Sequence, residues 1–250
     1  MSVKPSVKVG DVFLNNQGCK AVVIEYINAK NVLVEFQDNI KHRTYAKVQH
    51  LKNGKFKNPF HLQVYGVGYV GVGKYSAKVS GSNTLEYDLW HGMMKRCYDQ
   101  KYHAKRPTYI DCTVCKDWHN FQVFAEWANN QPCFARGYQL DKDLIIDFNK
   151  EYSPEACCLA PSEINNILLS GTSNRSEYHT GVTFNKNKNK FAARVNIGSR
   201  KVQFLGYFLN IDDAIAAYKK AKGDHIKNIA LIWQDRIDKR LFDALMAKAA

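Results

Sequence analysis

Residues 178–221 hold the pattern that most narrows the possible folds. Val182 and Phe184 alternate with polar residues, a Lys/Asn turn follows, FAARVNI alternates again, GSRK turns the chain, and VQFLGYF makes a third run. Period-two alternation broken by short polar turns is the mark of hairpin-connected strands, so a three-stranded antiparallel sheet is predicted. Ile211, Ala214, Ile215, Ala217 and Tyr218 then recur at helical spacing, with Asp212 or Asp213 placed to cap the helix. That helix covers one face of the sheet and leaves the other open.

Charge in this segment has one sign. Between Tyr178 and Asn210 there are Lys186, Lys188, Lys190, Arg194, Arg200 and Lys201 and no acidic residue. Since a helix takes one face, these cations belong to the turns or the open face, where a strand ribbon can enter a major groove and exchange counterions for phosphate contacts. The whole chain, 250 residues with a formal charge of +13 and a pI near 9.3, has the same bias. Double-stranded DNA is the partner expected.

The segment resembles the APETALA/ethylene-response-factor (ERF) type of DNA-binding domain. The matching residues are Gly181-Val182 with Phe184, Phe191-Ala192-Ala193-Arg194-Val195, Leu205-Gly206-Tyr207-Phe208, and Ala214 with Ala217-Tyr218. The resemblance implies DNA contact by Lys190, Arg194, Arg200 and Lys201, with Lys186 and Lys188 in the first turn. It assigns Phe184, Phe191, Tyr207 and Phe208 to packing under the helix.

Upstream, LDKDLII reads as a strand, DFNKEYSPE as a turn, ACCLA as a second strand, and PSEINNILL as a helix with Pro161, Ser162 and Glu163 at its start. This ββα order, together with "RCY" at 96–98, the Cys112/Cys115/Trp118/Phe121/Phe124/Trp127 series, "LDKD" and "YSPEAC", is similar to the HNH (ββα-metal) endonucleases, in particular the phage branch that joins them to the DNA-binding domain above. The resemblance implies Asp141 as one ligand of Mg²⁺ or Mn²⁺ and Asn165 or Asn166 as another. Lys142 stands where that family has its histidine base, and a lysine at its ordinary pKa, about 10.4, is already protonated. Asp143, or His119 or His103 from outside the motif, are the substitutes. Ala156 replaces an asparagine that ties the family's hairpin.

Residues 8–52 read as short strands with turns at NNQG, NAKN and QDN, similar in rhythm to Tudor and KOW barrels, which bind nucleic acid or protein. Leu85, Leu89, Met93, Met94 and Cys97 mark a helix over 84–98, and DWHNFQVFAEWANN a second, its aromatics spaced for burial. The final WQDRIDKRLFDALMAKAA is an amphipathic helix. The predicted class is thus α+β and multidomain: a small β-barrel over 1–60, a Gly-rich linker over 61–83, an HNH-like domain over 84–171, and an ERF-type domain with its C-terminal helix over 172–250.

Seven cysteines, including Cys157-Cys158 and one C-x-x-C, favour reduced thiols over a disulfide framework. Cys112 and Cys115 with Cys97, Cys133, Cys157 or Cys158 would be a zinc set, which is not expected because no second clean C-x-x-C exists. No apolar run has the length of a membrane span, so a cytoplasmic protein is expected, in the bacterial host if phage-encoded. The function expected is site-selective cleavage or nicking of duplex DNA, with a non-cutting DNA-binding relative as the alternative and a protein partner for the N-terminal barrel.

Overall fold

The computed structural model describes residues 7–132, 134–169, 178–198 and 201–249. Packing divides the chain into two units, residues 1–110 with 114–125, and residues 111–113 with 126–250. The architecture is α+β, with several small sheets.

In the first unit, alternation places Ala21, Val23, Val32, Val34 and Phe36 on one buried face. They belong to β1 (Val12–Leu14), β2 (Lys20–Asn28), β3 (Asn31–Phe36) and β4 (Arg43–Ala46), an antiparallel meander in the order β1-β2-β3-β4. The expected closed barrel is not formed. The two outer strands, of three and four residues, are too short to curl round to one another. Helix α1 (Val48–Lys52) and the segment after it close the core instead, with Leu51 and Phe56 buried and the Asn16 amide donating to Gly54 O at 2.9 Å.

The first part of the glycine-rich stretch predicted as a linker, from Val64 to Tyr75, is anchored, while residues 78–83 are exposed. A Cβ at Gly68 would stand 2.8 Å from the Trp90 ring, so the absence of a side chain there is what allows the backbone to lie on that ring. Tyr69 exchanges backbone bonds with His119 and Phe121, and the Gln122 amide donates to Val70 O and Tyr75 O. After the short pair β5 (Lys78–Val79) and β6 (Ser82–Asn83), Thr84 caps helix α2 (Leu85–Tyr98), whose Trp90, Met93, Met94 and Cys97 are buried. Helix α3 (Gln100–Lys105) and β7 (Thr113–Val114) follow. The second aromatic helix is broken in two. A 3-10 turn at Lys116–His119 precedes α4 (Phe121–Asn129), which Asn120 caps by accepting from the Gln122 amide.

In the second unit β8 (Tyr138–Asp141) pairs antiparallel with β10 (Cys158–Pro161), with β9 (Glu151–Tyr152) between them in sequence, and α5 (Ser162–Leu169) follows directly. This is the expected ββα order with shifted bounds: residues 142–146 are not strand, the second strand starts two residues late, and β9 falls within the predicted turn. Asp141 accepts the amides of Asp143 and Leu144 on Oδ1 and turns the chain at once, which sends Leu144 into the core.

The sheet β11 (Val182–Asn185), β12 (Lys190–Asn196) and β13 (Val202–Phe208) is antiparallel with the expected order. Helix α6 (Ile211–Trp233) covers it, capped by Asn210, not by either of the aspartates proposed from sequence. The first half of α6 packs Ile211, Ala214, Ile215 and Tyr218 against this sheet. Its second half carries Ile226, Ile229 and Ala230 into a different core, made with Cys158, Ala160, Ile164 and Ile167 of the ββα unit and with Leu241 and Leu245 of α7 (Lys239–Ala249). One continuous helix therefore serves two cores. Among the described residues no helix is long and apolar enough to cross a membrane.

Candidate metal site and nucleic-acid interface

Asp141 and Gln139 lie two residues apart on β8 and so share a face, opposite Cys158 and Ala160 of β10. Helix α5 packs on that face, and its Asn165 amide donates to Gln139 Oε1 at 2.7 Å. Asn165 is only 4% exposed and its Oδ1 is buried with no hydrogen-bond partner. A buried, unpaired amide oxygen costs about 1–3 kcal/mol. Asn166, one position on, is exposed. Of the two asparagines considered, Asn165 is the one turned to the hairpin.

Burial raises the Asp141 carboxyl above its ordinary value, a shift that the two backbone amides on Oδ1 oppose. The nearby Asp143 carboxylate adds to the rise. Asp141 Oδ2 takes no hydrogen bond from any described residue. Two oxygens without donors thus belong to residues on one side of a rigid hairpin. Hard oxygen donors of this kind suit Mg²⁺, which keeps several of its waters and needs only one or two protein groups. Among the described residues no three His, Cys, Asp or Glu side chains gather as a ligand set.

Lys142 points the other way. It is 6% exposed, and its ammonium donates to both Asp143 oxygens at 2.8 and 2.7 Å and to Asn149 O at 2.5 Å. Those bonds make it a structural clamp, and they occupy Asp143 as well. The two histidines suggested as substitutes are engaged within the first unit, His119 with Val114 O and Tyr98, His103 with Arg96 O. Neither Lys142 nor Asp143 is thus held as a free base.

Two residues that sequence reasoning did not single out hold the hairpin. Asn149 donates to Lys142 O and Glu151 O, a tie of the kind expected from the asparagine missing at Ala156. Arg240 on α7 donates to the carbonyls of Pro154, Glu155 and Cys157 and to Asp238. Burial alone would raise the Asp238 carboxyl, but the Arg240 guanidinium outweighs it and holds the group below its ordinary value.

The open face of the three-stranded sheet is built differently. A bulge between Ala193 and Arg194 shifts the register so that Arg194 opposes Phe204 while Ala193 opposes Gly206. Phe204 and Tyr207, three residues apart, then share the open face with ring centroids 5.0 Å apart, while Leu205 and Phe208 pack under α6. Tyr207 is thus not a helix-packing residue, as the ERF resemblance implies, whereas Phe184 and Phe191 do lie on the helix side. The Lys188 ammonium sits 4.1 Å from the Tyr207 ring centre and the Arg194 guanidinium 5.5 Å from that of Phe204. Lys186 and Lys201 are exposed and Lys190 is half-buried. Arg200 and Cys133 lie outside the described residues.

Comparison of the chain with protein-family models, with curated proteins and with solved structures gives no match in any of the three.

Proposed function

We propose that the chain is a metal-dependent endonuclease that cuts or nicks duplex DNA, gripping it with the open face of the β11-β12-β13 sheet. The single observation that carries the hydrolytic half of this reading is Asn165 Oδ1, buried and unpaired beside the Asp141 strand. A polar atom kept in that state at a cost to the fold is accounted for by a ligand the chain must accept. Asp141 and Asn165 would hold Mg²⁺ or Mn²⁺. Such a cation, when bound, supplies an acidified water and neutralises charge on the phosphate.

The protein's own contributions are then positional. Gln139 fixes the Asn165 amide, two backbone amides fix Asp141, and the Lys142–Asp143–Asn149 clamp holds the loop beyond it rigid. Lys188 and Arg194, each braced on an aromatic ring, present cations to the phosphate backbone. Among the described residues Lys142 and Asp143 are bonded to one another, so water would have to give its proton to solvent, and the rate should climb with pH without a histidine-like plateau near 6.5.

A second reading is a DNA-binding relative that does not cut. It is favoured by one fact, the occupation of the base position by a lysine already bonded to Asp143 and Asn149. Supercoiled plasmid separates the two. Nicking with Mg²⁺ or Mn²⁺ by the parent protein and none by Asp141→Asn supports the nuclease; retardation of DNA by both with no nicking by either selects the relative.

A further inference from the structure

The loop that joins Asp141 to β9 ends in an arrangement that the fold does not need. Ile146 O accepts from the Asn149 amide, making a turn in which Phe148 is the third residue, at φ 61°. That region is open to glycine and asparagine and costs a bulky side chain about 1 kcal/mol or more. Phe148 is also 93% exposed, so its ring gains no burial. Ile146 beside it is 48% exposed.

The turn is nonetheless tightly held. Asn149 bridges Lys142 O and Glu151 O, Lys142 clamps Asn149 O, and Lys248 of α7 bonds Asp147 at 2.5 Å. An exposed apolar side chain held out on a supported turn has the form of the phenylalanine wedges that insert between bases. Such wedges unstack a base step, a cost offset by the contacts that the bent duplex makes. The charges agree, because Asp143 is paired with Lys142 and Asp147 with Lys248, and Asp141 is held by backbone amides. The loop's acids thus present little repulsion to phosphate.

From this geometry we infer that Phe148 is a wedge that enters the base stack of bound duplex DNA, next to the hairpin that carries Asp141. The inference rests on the DNA-binding half of the proposed function and is independent of cleavage. Its partner is double-stranded nucleic acid, because the loop's acids are paired with lysines and the chain as a whole carries a formal charge of +13.

The test uses the full chain, closed circular plasmid and a type IB topoisomerase in EDTA, so that no nicking intervenes and no target sequence need be known. Insertion unwinds the helix, and the parent protein shifts the topoisomer distribution in proportion to the amount bound. Phe148→Gly, compared at equal occupancy on gels, reduces that shift at least about five-fold, while Phe148→Trp retains it. Phe148→Gly melts no lower than the parent, since glycine takes the φ freely, so loss of the shift cannot be loss of fold. An equal shift by Phe148→Gly, or no shift by a parent protein that binds, overturns the wedge alone. A parent protein that fails to retard duplex overturns the DNA-binding reading and the wedge with it.

Discussion

Two regions of the second unit use the same residue types to opposite ends. In the β8/β10 hairpin, Lys142, Asp143, Asn149 and Arg240 all commit hydrogen bonds to neighbouring side chains and backbone, while among the described residues Asn165 Oδ1 and Asp141 Oδ2 accept none. On the β11-β12-β13 sheet, Lys188 and Arg194 are exposed and lean on aromatic rings. A chemical site needs few atoms held without freedom. A polymer grip needs many cations with modest constraint, so the hairpin ought to be sensitive to single atoms and the sheet tolerant of them.

That contrast can be broken most forcefully at Asp141. Asp141→Asn keeps an oxygen for the Asp143 and Leu144 amides but loses the charge, and nicking should fall by about 10²–10³-fold or more with DNA retardation unchanged. The same variant should be more stable at neutral pH. The Asp141 carboxyl is raised by burial, so its protonated form is the one the fold prefers; that preference stabilises below the ordinary value of 3.8 and is lost as pH rises through the folded value. Calorimetry should thus show the variant melting above the parent at pH 7 and the gap closing in acid. A variant that cuts normally removes Asp141 from the chemistry.

The next largest effect tests the sheet as a structure. Gly181 has φ 80°, and a Cβ there would strike the Tyr218 ring and lie 2.5 Å from Arg194 O. Gly181→Ala should cost about 3 kcal/mol in urea unfolding and weaken DNA retention through loss of the sheet.

Arg240→Ala sharpens the hairpin side. It removes the guanidinium from three carbonyls and from Asp238, which keeps only the backbone amide of residue 240, at about 2 kcal/mol, and nicking should drop more than DNA binding does. Because the Asp238 carboxyl lies below its ordinary value, its contribution is present above pH 3.8 and fades as pH falls through the folded value. The acid limb of the stability profile should flatten in the variant.

The smallest single effects belong to the grip. Lys188→Ala and Arg194→Ala should each weaken DNA binding by about ten-fold at moderate salt, and together lower the slope of log affinity against log salt by roughly 2, with little change in melting temperature. Affinity that ignores salt would remove the open face as the interface.

Whatever in this contrast depends on local pattern was legible in the residue order. Alternation gave β11, β12 and β13, and the ββα succession over 138–169 followed from Pro161 and the apolar spacing. What tertiary contact decides was not legible. The bulge that turns Tyr207 outward leaves no mark on the alternation of VQFLGYF, and Lys142 reads as a catalytic position until its ammonium is seen bonded to Asn149 O. The reach of Arg240 across more than eighty residues to Pro154 and Glu155 has no local signal at all. Nor has the strap of Gly68, which composition assigns to a linker and the Trp90 ring assigns to a packed surface.

Helix α6 has a metrical consequence. From Ala214 in one core to Ala230 in the other is sixteen helical steps, on the order of 24 Å, or about seven base pairs of B-form duplex. A rod of that stiffness holds the two cores at one spacing; on the proposed reading, a phosphate at the hairpin and the stretch of duplex on the sheet would keep a constant offset, much as a caliper transfers one setting from mark to mark.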